Sequence, residues 1–462
     1  MRQSATQRAE VQSVLFSDLF DREVRVAFDA EEASSEGGAL LLAGLERQMQ
    51  VITALAAAAR DPRQPGKIQH DLPSLLCQRV FSLCCGYEDL NDAARLRADP
   101  ILRLLAQAGA QLASAPTLCR LENSLDRRDL LRMGAALIDR VLRQQQRTRG
   151  KVRRVTIDVD ATEDPTYGQQ EFSFFNGYYD SYCYLPLLAF VTFHDAHGHE
   201  ESEQYLAGAL LRSGKASGLT GTRGLLRELI RKLRELFPGV IIRVRLDAGF
   251  AAAEMFEFLE AQGVEYVVAI AANAVLLKMA EPHLIEARLQ AVLTGASARQ
   301  YAFLHYQAGT WPHPRWVVLK AEVLVQSGCE NKDNPRFVVT NLSNAAEYLY
   351  ESIYCVRGDS ENRIKELKLS LGLGRTSCSA FAANQFRVLL VWAAYALMQE
   401  LRRQDSGTEL QRAQVWRLRE WLLKIGATLR RTTRRIYVSL PQAAIAARTW
   451  LQLARGLGAV PL

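Results

Sequence analysis

The run VIIRVRLDAGF (240–250) constrains this chain more than any other stretch of similar length. Pro238 and Gly239 break the chain before it and Ala-Gly follows Asp247, so its length suits a strand rather than a helix. Its near-continuous apolar character asks for burial on both faces, and such a strand belongs inside a sheet covered by helices. The flanks agree. A helix is predicted over TRGLLRELIRKLRELF (222–237), another over AAAEMFEFLEAQG (251–263), and a strand over EYVVAI (265–270).

Upstream, KVRRVTIDVDATEDPTYG (151–168) changes to period two, with Val155, Ile157 and Val159 alternating with Thr156, Asp158 and Asp160. That is a strand ending in carboxylates. A second strand is expected over YCYLPLLAFVTF (182–193), a turn at HDAHGH (194–199) and a third, weaker strand over EESEQYLAGALL (200–211). The fold expected is therefore α/β, a mixed sheet flanked by helices. Residues 1–150 read as an all-helical N-terminal region, DNA-binding if Arg79, Arg95 and Arg97 place a basic face on a groove, or else a helical bundle with solvated arginines. Residues 151–272 form the first part of the core, and 273–335 read as a β-rich insertion. Residues 336–462 resume with the strand PRFVVTNL (335–342) and are helical from Ala345 onward, with a basic run RRTTRR at 430–435.

Eight cysteines include no C-x-x-C pair, so neither a zinc site nor a disulfide framework is expected. The opening MRQSATQRAE leads into no apolar signal core, and no uninterrupted apolar stretch reaches a membrane span. A reducing, cytoplasmic environment is the expectation. The net charge of +7 and pI near 9.0 are compatible with a polyanionic partner.

Carboxylates carry the chemistry. Asp247 closes a central strand and should emerge at its carboxyl edge, where ligands of open α/β sheets collect. Asp160 lies at the end of the earlier strand, although Asp158 shares its strand face and Asp164 follows closely, so spacing alone does not choose among them. In YCVRGDSENRIKELK (354–368), Tyr354, Arg357, Glu361 and Lys368 fall within roughly 60° on an ideal helix. One reading is a solvated ion-paired face; the other is a third carboxylate within a phosphate-gripping surface. Three converging carboxylates suit Mg²⁺ or Mn²⁺, and two such ions serve in-line phosphodiester displacement. Tyr354, Arg357, Lys365 and Lys368 are then the expected DNA contacts.

The order Asp160, Asp247, Glu361, with the glutamate inside Y-x2-R-x3-E-x6-K, resembles the DDE transposases of bacterial insertion sequences that carry the YREK signature. Further stretches, among them YEDLNDAARLRADP (87–100) and RTSCSAFAANQFRVLL (375–390), look like the insertion-sequence group numbered thirteen-eighty. The resemblance implies an RNase H-like core, Asp160 rather than Asp158 as the first acidic residue, and catalysis and metal binding by Asp160, Asp247 and Glu361. It also implies dependence on Mg²⁺, with two ions and Mn²⁺ as a substitute, and cut-and-paste transposition. Terminal inverted repeats and target DNA are the implied partners, handled by a homodimer in a synaptic complex. Some relatives stack a tryptophan of the insertion on a flipped base, which makes Trp311 and Trp316 the stacking candidates, against a packing role for either.

Two smaller features remain. His194, His197 and His199 are a polar turn before they are a metal site. The aromatics of NGYYDSYCY (176–184) read as core, with base stacking as the alternative. A nuclease without strand transfer and a catalytically silent DNA-binding regulator remain as competing functions.

Overall fold

The computed structural model describes residues 14–16, 21–27, 29–201, 203–326, 330–405, 407 and 409–461. The MRQSATQRAE segment and Cys329 lie outside them. One large mixed sheet organises the chain. Its principal strands are β1 (Arg154–Ala161), β2 (Leu187–His194), β3 (Tyr205–Leu210), β4 (Ile241–Leu246), β5 (Glu265–Ile270), β6 (Ala298–Tyr306), β7 (Arg315–Leu324) and β8 (Arg336–Thr340). They lie in the order β6-β7-β8-β5-β4-β1-β2-β3, with the two-residue strand Lys332–Asp333 added beside β7. β4 runs parallel to β1 and β5; β1–β2, β2–β3, β5–β8, β7–β8 and β6–β7 are antiparallel.

The central strand β4 is buried as expected, yet its two arginines show how. Arg243 and Arg245 alternate with Ile242, Val244 and Leu246, and each arginine meets a carboxylate of a neighbouring strand. Arg243 reaches Glu265 on β5 at 2.8 Å, and Arg245 reaches Asp158 on β1 at 2.6 Å. Neutralisation between adjacent strands lets a strand with two charges occupy the middle of the sheet.

The helices that cover the sheet include α1 (Arg127–Thr148), α2 (Thr222–Leu236), α3 (Ala253–Ala261), α4 (Ala274–Thr294), α5 (Asp359–Leu371) and α6 (Phe381–Gln404). A reciprocal capping box of Asp126 and Asp129 starts α1. α6 runs through the core between β3 and the helix Leu72–Cys84, and Trp392 Nε1 donates to the carbonyl of Leu206 at 2.8 Å. It is long and apolar enough to cross a membrane by length and composition, but 83% of its most apolar window is buried inside the protein.

Four sequence readings need revision. The run 182–193 is two strands, because Pro186 offers no N–H and separates Ser181–Tyr184, in a small three-stranded sheet, from β2. The interval 273–335 opens with the 21-residue helix α4, and its long strands β6 and β7 extend the main sheet. α4 hid from periodicity because it is apolar on two sides: Leu276, Ala280, Leu284, Ala287 and Ala291 are buried, whereas Ile285, Leu289, Val292 and Leu293 are exposed. Short strands occur in the N-terminal region at Val14–Phe16, Val24–Val26 and Ala33–Ser34, so it is not all helix. The RRTTRR run is the turn of a hairpin formed by Ala427–Arg431 and Ile436–Ser439, and this hairpin pairs with Ala33–Ser34.

Candidate active site

Because β1 and β4 are parallel neighbours, Asp160 and Asp247 emerge at the same sheet edge. Asp247 is half-buried, and its carboxylate accepts from the N–H of Gly249 at 2.8 Å, capping the 3₁₀ turn Ala248–Phe250. Asp160 is buried, and burial pushes its carboxyl above the usual carboxylate range; the nearby Arg357 charge opposes that shift and the Asp247 carboxylate adds to it.

The structure separates Asp160 from its rivals. Asp158 is fully buried in a two-pronged pair with Arg245, at 2.6 and 2.7 Å, and accepts from Gln204 at 3.1 Å, which occupies it inside the sheet. Asp164 is also buried; it accepts from Thr376 Oγ1 at 2.6 Å, and burial pushes its carboxyl up to about 6.

The segment carrying Tyr354 to Lys368 is not one regular helix. A π-helical stretch, Tyr348–Tyr354, passes into a 3₁₀ turn, Cys355–Gly358, and then into α5. Such irregularities recur at functional sites because they re-aim side chains. Arg357 Nη1 lies 3.0 Å from Asp160 Oδ2, and Ser360 Oγ lies 3.3 Å from the same oxygen. Half-buried Tyr354 has its phenol raised by burial and held down by the adjoining Arg357. Lys368 Nζ donates to the carbonyl of Glu163 at 2.5 Å, so Arg357 and Lys368 both grip the chain at the end of β1. Lys365 is exposed.

Glu361 follows Ser360 directly, in the first turn of α5, and is exposed. The donor chemistry of Asp160 and Asp247 fits a hard divalent cation. Among the described residues, no group of three Asp, Glu, His or Cys side chains is gathered as a metal would need. Glu361 is exposed and is not gathered with Asp160 and Asp247 into such a group.

The edge opens into a cleft of about 740 Å³ whose walls include Ala161, Tyr178, Tyr179, Arg212, Asp247 and Tyr354. Arg212 is buried, donates to the carbonyls of Leu185 and Ser217 at 2.9 and 3.0 Å, and is pushed down to about 10 by burial. Sequence reasoning passed over Arg212 and Ser360. Arg212 carries no local signal, since only folding brings it to this edge. Ser360 stands next to Glu361 and was legible by adjacency alone.

The two tryptophans part company. Trp311 is buried, with ring centroids 5.2 Å from Phe256 and 5.4 Å from Tyr306 and the Arg315 guanidinium 5.1 Å above it; walled in on these sides, it is a packing anchor and is not presented for stacking. Trp316 is 53% exposed on β7, beside Phe303 and His305. The proposed basic face also changes. Arg79 is buried against Glu122, and Arg95 is paired with Asp92. Arg97 instead joins Arg63, Lys67, His70 and Arg120 around a second cleft of about 760 Å³ in the N-terminal region, whose lining contains no Asp or Glu. His194 hydrogen-bonds Thr156 at 2.8 Å, and Asp195 closes the turn by accepting from the N–H groups of His197 and His199.

No curated protein matches the chain. The family model described as transposase DDE domain group 1 matches residues 16–461, nearly the whole chain, and the protein belongs to that family.

Proposed function

We propose that this protein is an insertion-sequence transposase of the YREK type that binds terminal inverted repeats, cleaves DNA at the element ends and joins them to target DNA. The observation that carries the reading is the placement of Asp160 and Asp247 at the ends of adjacent parallel strands, with the Arg357–Ser360 turn locked onto Asp160. The strand order β5-β4-β1-β2-β3, with β2 antiparallel to its neighbours, supports an RNase H-like core.

In this reading Asp160, Asp247 and Glu361 would hold two Mg²⁺ ions, with Mn²⁺ as a substitute. A bound divalent ion activates a water or 3′-hydroxyl and stabilises the leaving oxygen. The chain's own groups do the rest. Arg357 changes partner from Asp160 to a DNA phosphate as Glu361 turns inward, Arg212 supplies positive charge across the cleft, and Lys368 holds the loop after β1 in place. The N-terminal cleft, whose lining contains no Asp or Glu, offers Lys67, Arg97 and Arg120 to the phosphates of the inverted repeat. A homodimer pairs two ends, and a DNA-bound protein of this kind works in the bacterial cytoplasm, at the nucleoid.

A silent DNA-binding regulator has one observation in its favour: Arg357 neutralises Asp160 while Glu361 faces solvent. Purified protein, incubated with DNA carrying the gene's own flanking sequences and Mg²⁺, Mn²⁺ or EDTA, separates the readings. The transposase gives metal-dependent cuts at the element boundary followed by joining, and Glu361→Gln loses both while keeping DNA affinity. Specific binding without cleavage in either metal refutes the transposase in favour of the regulator; cutting without joining refutes it in favour of a nuclease.

A further inference from the structure

The hairpin formed by Phe174–Asn176 and Ser181–Tyr184 carries aromatic rings into solvent, and Tyr178 and Tyr179 between its strands line the cleft that Asp247 enters. Tyr178, at its tip, is 88% exposed, Tyr182 62% and Phe175 47%. Aromatic side chains bury large areas in ordinary cores, so a clustered exposure of this kind marks a binding surface. Asn176 anchors the base of the turn. Asn176 Nδ2 donates to the carbonyl of Gly214 at 2.8 Å, and Asn176 Oδ1 accepts from the N–H of Tyr178 at 3.0 Å. Asp180 closes the turn with a left-handed φ of 51°, a conformation that non-glycine residues adopt at a cost. Tyr178 meets Tyr179 edge-on at 4.9 Å, and Phe175 meets Tyr182 at 5.6 Å across the paired strands.

Two observations point to nucleobases as the occupant. Tyr178 and Tyr179 line the same cleft as Asp247, so a ligand on these rings is continuous with a chain passing the carboxylates. Positive charge lies alongside, with Arg212 in the cleft wall and Lys215 Nζ 4.9 Å from the Phe174 ring centroid. Exposed rings flanked by cations are the elements of a single-strand platform, on which bases stack while phosphates meet the charges.

Resting on the transposase reading, we propose that the hairpin tip is a nucleobase-stacking site: Tyr178, backed by Tyr179, takes an unpaired base of the strand held at Asp160 and Asp247, and Phe175 with Tyr182 continues the platform. Trp311 is enclosed in the core and presents no face to a base.

The test uses the full chain and DNA carrying the gene's flanking sequence with a short unpaired overhang, labelled with 2-aminopurine in the overhang, in EDTA so that no cutting intervenes. Wild type quenches the fluorescence; Tyr178→Ala does not, and Tyr178→Phe, which keeps the ring, does. Affinity of Tyr178→Ala for the overhang DNA falls about 5- to 150-fold, while affinity for fully paired DNA changes less than about twofold. Quenching by Tyr178→Ala equal to wild type, or equal losses on paired and unpaired DNA, overturns the stacking site. The outcomes stay distinct from the parent reading. A wild type that cuts and joins beside an unaltered Tyr178→Ala defeats only the stacking site, whereas a wild type that quenches but never cuts defeats only the transposase.

Discussion

Replacing Asp158 and Asp160 separately with asparagine tests whether two carboxylates one residue apart have unrelated jobs. Asp158 and its partner Arg245 have side chains 0% and 1% exposed and share contacts of 2.6 and 2.7 Å. Removing one charge of such a pair leaves the other buried and uncompensated, which costs about 3–5 kcal/mol. Glu200 lies 3.3 Å from the same guanidinium and recovers part of that loss, so the lower figure, about 3 kcal/mol, is expected for Asp158→Asn. Asp160 differs, because it meets Arg357 through a single 3.0 Å contact rather than a two-pronged pair, and its contacts with Arg357 and Ser360 survive in part with an amide. Asp160→Asn should change stability by no more than about 1 kcal/mol. Urea unfolding in EDTA, followed by far-UV circular dichroism, reads the difference: with m near about 3 kcal/mol/M, Asp158→Asn loses about 1 M of midpoint. Asp160→Asn keeps its midpoint and loses cleavage. Equal midpoints for the two variants, or an Asp160→Asn that cuts DNA normally, refute the division of roles.

Trp311→Ala should lose about 3–5 kcal/mol through the cavity it leaves between Phe256, Tyr306 and Arg315, whereas Trp316→Ala, on an exposed face, should stay within about 1 kcal/mol by the same urea measurement. Asp164 predicts a pH effect of definite sign. Its folded-state carboxyl is pushed up to about 6 from 3.8, so the native protein takes up a proton that the unfolded chain does not, and stability rises as pH falls from above 6 toward 4. Asp164→Asn should remove up to about 3 kcal/mol of this dependence and raise the urea midpoint at pH 7 more than at pH 4.5. Thr376→Val, which strips the 2.6 Å hydrogen bond from Asp164, should destabilise by about 1–3 kcal/mol at pH 7 and by less at pH 4.5.

Elements whose pattern is local were legible along the chain. The breaker before Val240 and the apolar run after it fixed β4, the period-two stretch fixed β1, and the amphipathic run 222–237 fixed α2, because strand alternation and helix period are written into neighbouring residues. Those patterns also put Asp160 and Asp247 at strand ends. Tertiary structure alone decided what those ends meet. Asp158 and Asp160 share a strand face in any reading of alternation, and only the register of β1 against β4, which sets Arg245 opposite Asp158, binds one and leaves the other at the cleft. α4 was illegible because one apolar stripe covers the sheet while another faces solvent, which erases the contrast that periodicity needs. Trp311, which packs inside as the weightier of its two readings has it, and the Tyr178 hairpin, whose rings were expected in the core yet stand in solvent, part for one reason. Composition gives an aromatic ring a preference for burial, but which rings are buried depends on what packs beyond them, and that is settled only by long-range contacts.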